Sequence, residues 1–234
     1  MNVAIIVAAG KGTRLGGERP KQFVELAGTP IIIHTLRQFE RSREIDDVLV
    51  VLPADQTAGF QSLARDFQLQ KFSKAIAGGA SRAQSVSLGL AAITNADIVA
   101  VHDGVRPFAT PDEIDRTIQC AKTTGAAILA AGITDTIKEV EANSVIRTAK
   151  RANLWRALTP QCFRFEILTR AYEQLAEVES AGIVVTDDSW LVEHMGIPVT
   201  VVEGSARNIK ITTAEDLALA ETLISQKSEV RLNL

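Results

Sequence analysis

The sequence holds few of the residues that carry metal, redox or histidine chemistry, with two cysteines and three histidines among 234 residues. Cys120 and Cys162 form no metal-ligand or redox spacing, so we expect each of them to fill space in the core. No apolar run approaches the length needed to span a bilayer, and the first apolar run lacks the basic start of a signal peptide. These absences predict a cytoplasmic protein whose chemistry depends on other side chains.

The sequence also lacks an excess of positive charge, since 25 Lys and Arg residues face 28 Asp and Glu residues and leave a net charge of −3. This balance argues against wholesale binding to nucleic acid or to a membrane surface. A hydrophobic fraction of 46% is enough for a sizeable core. We therefore predict one α/β domain over residues 1–234 that binds small molecules.

One stretch, residues 8–22, concentrates glycine and cations in the sequence AAGKGTRLGGERPKQ. It follows the β-branched apolar run 3–7, which is typical of a buried strand. A glycine-rich loop can turn successive N–H groups toward one anion, and this loop carries four cationic side chains against a single acid. The stretch predicts a polyphosphate-binding loop, and an ordinary connection with solvated charges is the alternative.

Two familiar phosphate loops do not match this stretch. The P-loop needs a lysine followed by Ser or Thr, which this loop does not have. The dinucleotide fingerprint needs G-x-G-x-x-G, but the third glycine comes one residue late, at Gly16. The spacing therefore argues against a Rossmann oxidoreductase.

Buried strand patterns alternate with amphipathic helix patterns along most of the chain. We expect strands at 3–7, 48–52, 97–102, 126–131 and 198–202, and helices at 30–43, 60–67, 110–125, 165–178, 188–195 and 214–225. Such alternation favours a Rossmann-like α/β fold, with a mostly parallel sheet and helices on both faces.

The alternation breaks at about residues 135–159, where the runs 136–140 and 144–148 favour an inserted β-hairpin. A two-stranded hairpin is barely stable alone in water, so it should rest on another surface. A second copy of the chain is the simplest candidate, which makes a homodimer clasped by this arm our expectation.

The glycine loop and several later segments together resemble the sugar-phosphate nucleotidylyltransferases. Within that group the pattern is most similar to the 2-C-methyl-D-erythritol 4-phosphate cytidylyltransferase family. The segments that carry the resemblance are Ala8-Ala9-Gly10-x-Gly12-x-Arg14-x-Gly16, Pro20-Lys21-Gln22, Gly78-Gly79-x-x-Arg82-x-x-Ser85-Val86, His102-Asp103-x-x-Arg106-Pro107, Asp135-Thr136-x-Lys138, Thr159-Pro160-Gln161, Thr186-Asp187-Asp188 and Asn208-Ile209-Lys210.

The resemblance implies transfer of CMP from CTP to 2-C-methyl-D-erythritol 4-phosphate, with release of pyrophosphate, in non-mevalonate isoprenoid precursor biosynthesis. It implies a divalent cation such as Mg²⁺, held mainly by the triphosphate rather than by protein ligands. The residues expected to act on the phosphates are the cations Arg14, Lys21, Arg151 and Lys210. Arg151, at the base of the arm, would reach the neighbouring subunit's site.

The resemblance also assigns substrate contacts, for which the residues themselves leave simpler alternatives open. Asp103 could instead shape a turn, Arg151 could be a solvated surface charge, and Thr186 could belong to a helix cap. The expected contacts are Ala8, Ala9, Gly10 and Gly12 in the loop, Gly78, Gly79, Ala80, Arg82 and Ser85 around the base, and Asp103, Arg106, Thr136, Thr159 and Thr186 elsewhere.

Two other functions remain open at this point. A cytidylyltransferase for another polyol phosphate, such as ribitol 5-phosphate, would keep the same loop and base pocket. A non-catalytic nucleotide-binding module of the same fold would be expected to lose Arg14 or Lys21, and this sequence has both.

Overall fold

The fold was obtained as a computed structural model that describes residues 1–10 and 20–232, with side chains described as far as residue 226. Its strands, numbered in chain order, are β1 (Asn2–Val7), β2 (Glu25–Leu26), β3 (Thr29–Pro30), β4 (Asp47–Leu52), β5 (Phe72–Ala77), β6 (Ile98–Asp103), β7 (Ala126–Gly132), β8 (Lys138–Glu141), β9 (Ser144–Thr148), β10 (Trp155–Arg164) and β11 (Thr200–Glu203). Its α-helices are α1 (Ile31–Arg41), α2 (Thr57–Asp66), α3 (Arg82–Ala91), α4 (Pro111–Thr124), α5 (Phe165–Glu173), α6 (Leu175–Ser180), α7 (Asp188–His194) and α8 (Ala214–Leu232).

A seven-stranded sheet in the order β11-β7-β10-β6-β1-β4-β5 forms the centre of the fold. The pairs β1–β4, β1–β6, β4–β5 and β11–β7 are parallel, whereas β10 runs antiparallel to both of its neighbours. The predicted mostly parallel α/β sheet is therefore confirmed.

Helices cover both faces of the sheet, as predicted. The consecutive fully buried residues Ile5 and Ile6 of β1 belong to different core clusters, because successive strand residues point to opposite faces. The cluster of Ile6 includes residues of α1, α2 and α4, whereas the cluster of Ile5 includes residues of α3, α5, α6 and α7. Cys162 is buried in the first cluster and Cys120 packs against it, which confirms that both cysteines fill space there.

Most helix ends follow the expected sequence signals. Thr110 and Glu113 form a capping box before α4, and Gly125 ends that helix with φ at 92°. Several bounds differ from expectation, among them those of α2, which begins at Thr57, and of α8, which continues to Leu232. Helix α1 begins at Ile31, one residue later than predicted, and the helix expected over 165–178 is divided at Gln174 into α5 and α6.

The largest departure from the sequence expectation is β10. We assigned its first five residues to the inserted arm and assigned residues 160–164 to no element, but residues 155–164 form a strand inside the sheet. The sequence did not predict this strand because Pro160 lies within it, and a proline within a run argues against a central strand. The pairing of β10 with β7 accommodates Pro160 through an irregularity: between Ala157 and Gln161, β10 advances four residues while β7 advances two.

The predicted hairpin is present as β8 and β9, which form a separate two-stranded sheet. Its turn places Ala142 and Asn143 at positive φ. Val140, Val145 and Ile146 are each more than half exposed, so the hairpin carries apolar surface that the isolated chain does not cover. Whether this arm holds a second subunit stays a prediction.

No helix within the described ranges combines the length and apolarity needed to cross a bilayer.

Candidate functional site

Three loops leave the carboxyl ends of β1, β5 and β6 and pack closely, because glycines let their backbones approach. A Cβ on Gly104, after β6, would lie 2.8 Å from the Cβ of Ala8, after β1. A Cβ on Gly78, after β5, would lie only 2.3 Å from the Cβ of Ala9. Ligands of open α/β sheets bind at this edge, and here the glycines bring three loops together to form it.

A cleft of about 430 Å³ opens between these loops, and we call it the larger cleft. Ten residues predicted to bind substrate or to act on phosphates line it, and they are Ala8, Ala9, Gly10, Lys21, Gly79, Ala80, Arg82, Ser85, Asp103 and Lys210. Gly78 is not among the lining residues but forms the start of the turn that continues into Gly79. The structure therefore brings the described residues of the glycine loop and most of the predicted base pocket into one concavity.

A second concavity of about 270 Å³, the smaller cleft, lies beside it. Its wall includes the predicted residues Arg82, Asp103, Arg106, Thr159, Thr186 and Lys210. Three of these, Arg82, Asp103 and Lys210, also line the larger cleft. The two clefts thus meet at one group of charged side chains.

Asp103 lies at the centre of that group, at the end of β6 and almost fully buried. Arg82 donates through Nε to Oδ1 at 3.0 Å. Oδ2 lies 3.2 Å from Nε of Arg106 and 3.0 Å from Nζ of Lys210. Burial alone would raise the pKa of the Asp103 carboxyl, but the three cations, Arg82 foremost, hold it well below its usual range. The carboxylate is therefore ionised and fixes three cations between the two clefts.

Arg82 is held from a second side by Asp188, the first residue of α7. Its Nη2 donates to Oδ2 of Asp188 at 2.8 Å. The other carboxylate oxygen of Asp188 accepts from the hydroxyl of Tyr172, whose pKa is raised well above its usual value by burial and by Asp188. Two carboxylates thus set the direction of the Arg82 guanidinium.

A chain of hydrogen bonds through the uncharged side chains of Thr159 and His102 supports the backbone of Asp103. The N–H of Asp103 donates to Oγ1 of Thr159 at 3.2 Å, and this hydroxyl lies 2.9 Å from Nδ1 of His102. Nε2 of His102 lies 3.1 Å from the carbonyl of Arg106, which can only accept, so Nε2 carries the proton and Nδ1 accepts from Thr159. Burial lowers the pKa of His102 to about 4, and His102 is a packed structural residue, as the sequence indicated.

The chain resembles one family of known proteins over almost its whole length. The family model of 2-C-methyl-D-erythritol 4-phosphate cytidylyltransferase (IspD) matches residues 2–226. The enzyme of that name from Bacillus velezensis is 41% identical over 227 residues, which cover 97% of each chain. The one from Geobacillus kaustophilus is 42% identical over 225 residues, which cover 96% of this chain and 97% of the relative.

Comparison with solved structures points to the same family. 4-Diphosphocytidyl-2C-methyl-D-erythritol synthase from Anaerococcus prevotii superposes with a TM-score of 0.82 at 31% identity and covers 96% of both chains. The chain belongs to the 2-C-methyl-D-erythritol 4-phosphate cytidylyltransferase family. The Thermus thermophilus member has a TM-score of 0.75 at 31% identity, covering 94% of this chain and 98% of its own.

Besides Gly78, two described residues predicted from the family pattern, Thr136 and Arg151, line neither cleft. Gly12 and Arg14 lie outside the described residues. Thr136 is exposed beside the arm, and the exposed Arg151 donates through Nη1 to the carbonyl of Thr134. Within one chain, therefore, Thr136 and Arg151 do not line either cleft, although the family pattern predicts that both contact substrate.

Other residues of the clefts escaped the sequence analysis. Gln161 and Asp187 line the smaller cleft, and Nε2 of Gln161 donates to Asp187 at 2.8 Å. Asp187 is also the N-cap of α7, where it accepts from the N–H of Trp190. The Thr-Asp-Asp run did mark a helix cap, but no local pattern could show that Asp188 pairs with Arg82 from 106 residues away.

The pKa of His102 can be tested directly. Its imidazole should stay neutral, with the proton on Nε2, until the pH falls to about 4. Because the unfolded chain takes up this proton near pH 6.5, the free energy of unfolding should fall by on the order of 3 kcal/mol between about pH 6.5 and 4. NMR of the labelled ring measures the midpoint, and a midpoint near 6.5 would contradict the hydrogen-bond chain.

Proposed function

We propose that the two clefts hold the two substrates of a cytidylyl transfer, CTP in the larger cleft and the polyol phosphate in the smaller one. Membership of the family supplies the reaction: CMP passes from CTP to 2-C-methyl-D-erythritol 4-phosphate, giving 4-diphosphocytidyl-2-C-methyl-D-erythritol and pyrophosphate. This is a step of non-mevalonate isoprenoid precursor synthesis. The observation that carries the assignment of the clefts is their shared wall, where Asp103 holds three cations.

The transfer joins two anions, so charge repulsion is its first obstacle. An oxygen of the polyol phosphate attacks the α-phosphorus of CTP, a new O–P bond forms, and the bond to the β-phosphate oxygen breaks. The attacking phosphate is ionised near neutral pH, so the step needs no general base. Positioning and preorganised positive charge therefore supply most of the catalysis.

The cations divide between the two anions in our proposal. Lys21 lines the larger cleft, where with Arg14 it would stabilise the charge that develops on the α-phosphate and on the leaving pyrophosphate. Lys210 borders both clefts and would bridge the two substrates. Arg106, which borders only the smaller cleft, would bind the polyol phosphate together with Thr186.

A divalent cation such as Mg²⁺ belongs to this proposal, bound mainly by the triphosphate. Among the described residues no three His, Cys, Asp or Glu side chains gather so as to hold a metal ion. Asp103 faces both clefts, but its oxygens already accept from three cations. That donor set fits an ion carried in by the nucleotide, which when bound neutralises triphosphate oxygens.

We also propose that two copies of the chain pair through the hairpin. The exposed apolar side chains of β8 and β9 need cover, and the arm leaves Arg151 and Thr136 outside both clefts of their own chain. Pairing would let each arm deliver Arg151 to the neighbouring polyol-phosphate site.

Pyrophosphate release from each of the four nucleoside triphosphates tests the function, with methylerythritol phosphate and ribitol 5-phosphate as acceptors. We expect turnover with CTP and methylerythritol phosphate, and little with any other pair. Turnover that prefers ribitol 5-phosphate would change the acceptor, and no release with any pair would contradict the proposal.

Removing a phosphate-binding cation should slow the chemical step. Lys21→Met and Lys210→Met should each lower kcat roughly 100- to 1,000-fold, because each removes a charge aimed at the transferring phosphates. Lys122→Met is the matched control, since Lys122 pairs with Glu44 on the surface and lines neither cleft. Steady-state kinetics give the result, and near-normal kcat in both cleft variants would exclude this mechanism.

Mixing two inactive variants tests the shared site. If Arg151 acts in the neighbouring site, the Lys21→Ala and Arg151→Ala lesions of a mixed dimer would fall together in one active site, so the other site should be intact. Combining and re-equilibrating the two proteins should therefore restore activity that neither has alone. A mixture no more active than its components would count against delivery of Arg151 across the interface.

A further inference from the structure

We propose that Gln84 and Glu179 are positioning residues that set which backbone groups the turn Gly78-Gly79-Ala80 presents to the nucleobase. This inference rests on the proposed binding of CTP in the larger cleft. It adds a support from α6, a helix that lies outside the wall of that cleft. The pair would act on base selection and not on phosphoryl chemistry.

The turn has its three successive N–H groups engaged in hydrogen bonds within the protein. That of Gly78 donates to the carbonyl of Leu52 at 2.8 Å, and that of Gly79 donates to Oγ of Ser85 at 3.1 Å. The N–H of Ala80 donates to Oε1 of Gln84 at 3.1 Å. With these donors engaged, carbonyl oxygens are the groups that the turn can offer to a ligand.

Carbonyl acceptors suit cytosine better than uracil. The exocyclic amine of cytosine is a hydrogen-bond donor, whereas uracil has a carbonyl at the same position. A site that offers acceptors there leaves the uracil carbonyl facing another oxygen, without a partner. A buried polar group without a partner is costly, so the direction of these peptides carries base selectivity.

Of the three N–H groups of the turn, that of Ala80 is the one whose hydrogen-bond partner is a flexible side chain. Gly78 and Gly79 donate to a strand carbonyl and to the buried Ser85, but the partner of Ala80 is a half-buried glutamine amide. Such an amide can rotate by half a turn, which would place an NH₂ group against the N–H of Ala80. Two donors would then face each other, and the peptide would be free to turn its N–H toward the cleft.

Glu179 excludes that rotation. Its Oε2 accepts from Nε2 of Gln84 at 3.1 Å, and its Oε1 lies 3.4 Å from Oγ of Ser81, the N-cap of α3. A carboxylate can only accept, so it fixes the NH₂ of Gln84 on its own side and leaves Oε1 for Ala80. Gln84 also requires glycine at position 79, because a Cβ on Gly79 would lie 2.6 Å from the Cβ of Gln84.

Substitution at residue 179 separates this role from a general structural one. Glu179→Leu should raise the KM for CTP about tenfold and lower the preference for CTP over UTP by a similar factor, as expected for loss of one charge-assisted hydrogen bond. The value of kcat with CTP should stay within about twofold. Glu179→Gln keeps an acceptor for Gln84 and should retain most of the preference.

Glu177→Leu is the matched control, because it makes the same change at an exposed position of the same helix. Gln84→Met should reproduce the effect of Glu179→Leu, and the double variant should be no worse than either, since both act through the N–H of Ala80. Kinetics with CTP and UTP for all five variants measure these quantities.

The outcomes distinguish this inference from the proposed function. If the wild-type protein does not use CTP, the function fails. If it does, and Glu179→Leu keeps the wild-type ratio of CTP to UTP turnover, the positioning role is wrong. A fall in kcat alone, or additive effects in the double variant, would also overturn it.

Discussion

A buried carboxylate that cannot be left unpaired organises this molecule. Asp103 lies at the end of a central strand, and removing such a charge from water costs several kcal/mol unless cations and hydrogen bonds replace the water. Arg82 and Arg106 come from segments that follow β5 and β6, and Lys210 comes from a third segment after β11. One charge therefore ties together parts of the chain that are far apart in sequence, and it leaves their cations fixed where two clefts meet.

Fixed cations suit a reaction between two anions. A lysine or arginine that must reorganise during the reaction loses part of its electrostatic effect, whereas one already held by a carboxylate does not. The turn Gly78-Gly79-Ala80 is preorganised in the same way, because hydrogen bonds to Leu52, Ser85 and Gln84 fix its peptides. In both places the chain has arranged its polar groups before any substrate arrives.

Local signals predicted a large part of the fold and of the site. The apolar runs of β1, β4, β6 and β7, and the capping box of α4, could be identified because each depends on neighbouring residues. The glycines at 78 and 79 could be assigned to a close approach because few other local reasons require two in succession. The family pattern then named ten residues that line the larger cleft.

What escaped prediction depends on contacts across the fold. β10 contains a proline and few alternating apolar residues, and it is a strand because β6 and β7 flank it on both sides. The pairing of Arg82 with Asp188, and the contact between Gln84 and Glu179, join residues about a hundred positions apart, 106 in the first case and 95 in the second. Neither spacing has a sequence signature. The separation into two clefts with a shared wall likewise follows from packing.

A structure of the protein with its cytidylyl product and Mg²⁺ tests the central claim most directly. The account predicts the base against the turn Gly78-Gly79-Ala80, the diphosphate beside Lys21 and Lys210, and the polyol in the smaller cleft against Arg106, with the Asp103 ion pairs retained. A product lying wholly in one cleft, or a diphosphate remote from both lysines, would contradict it.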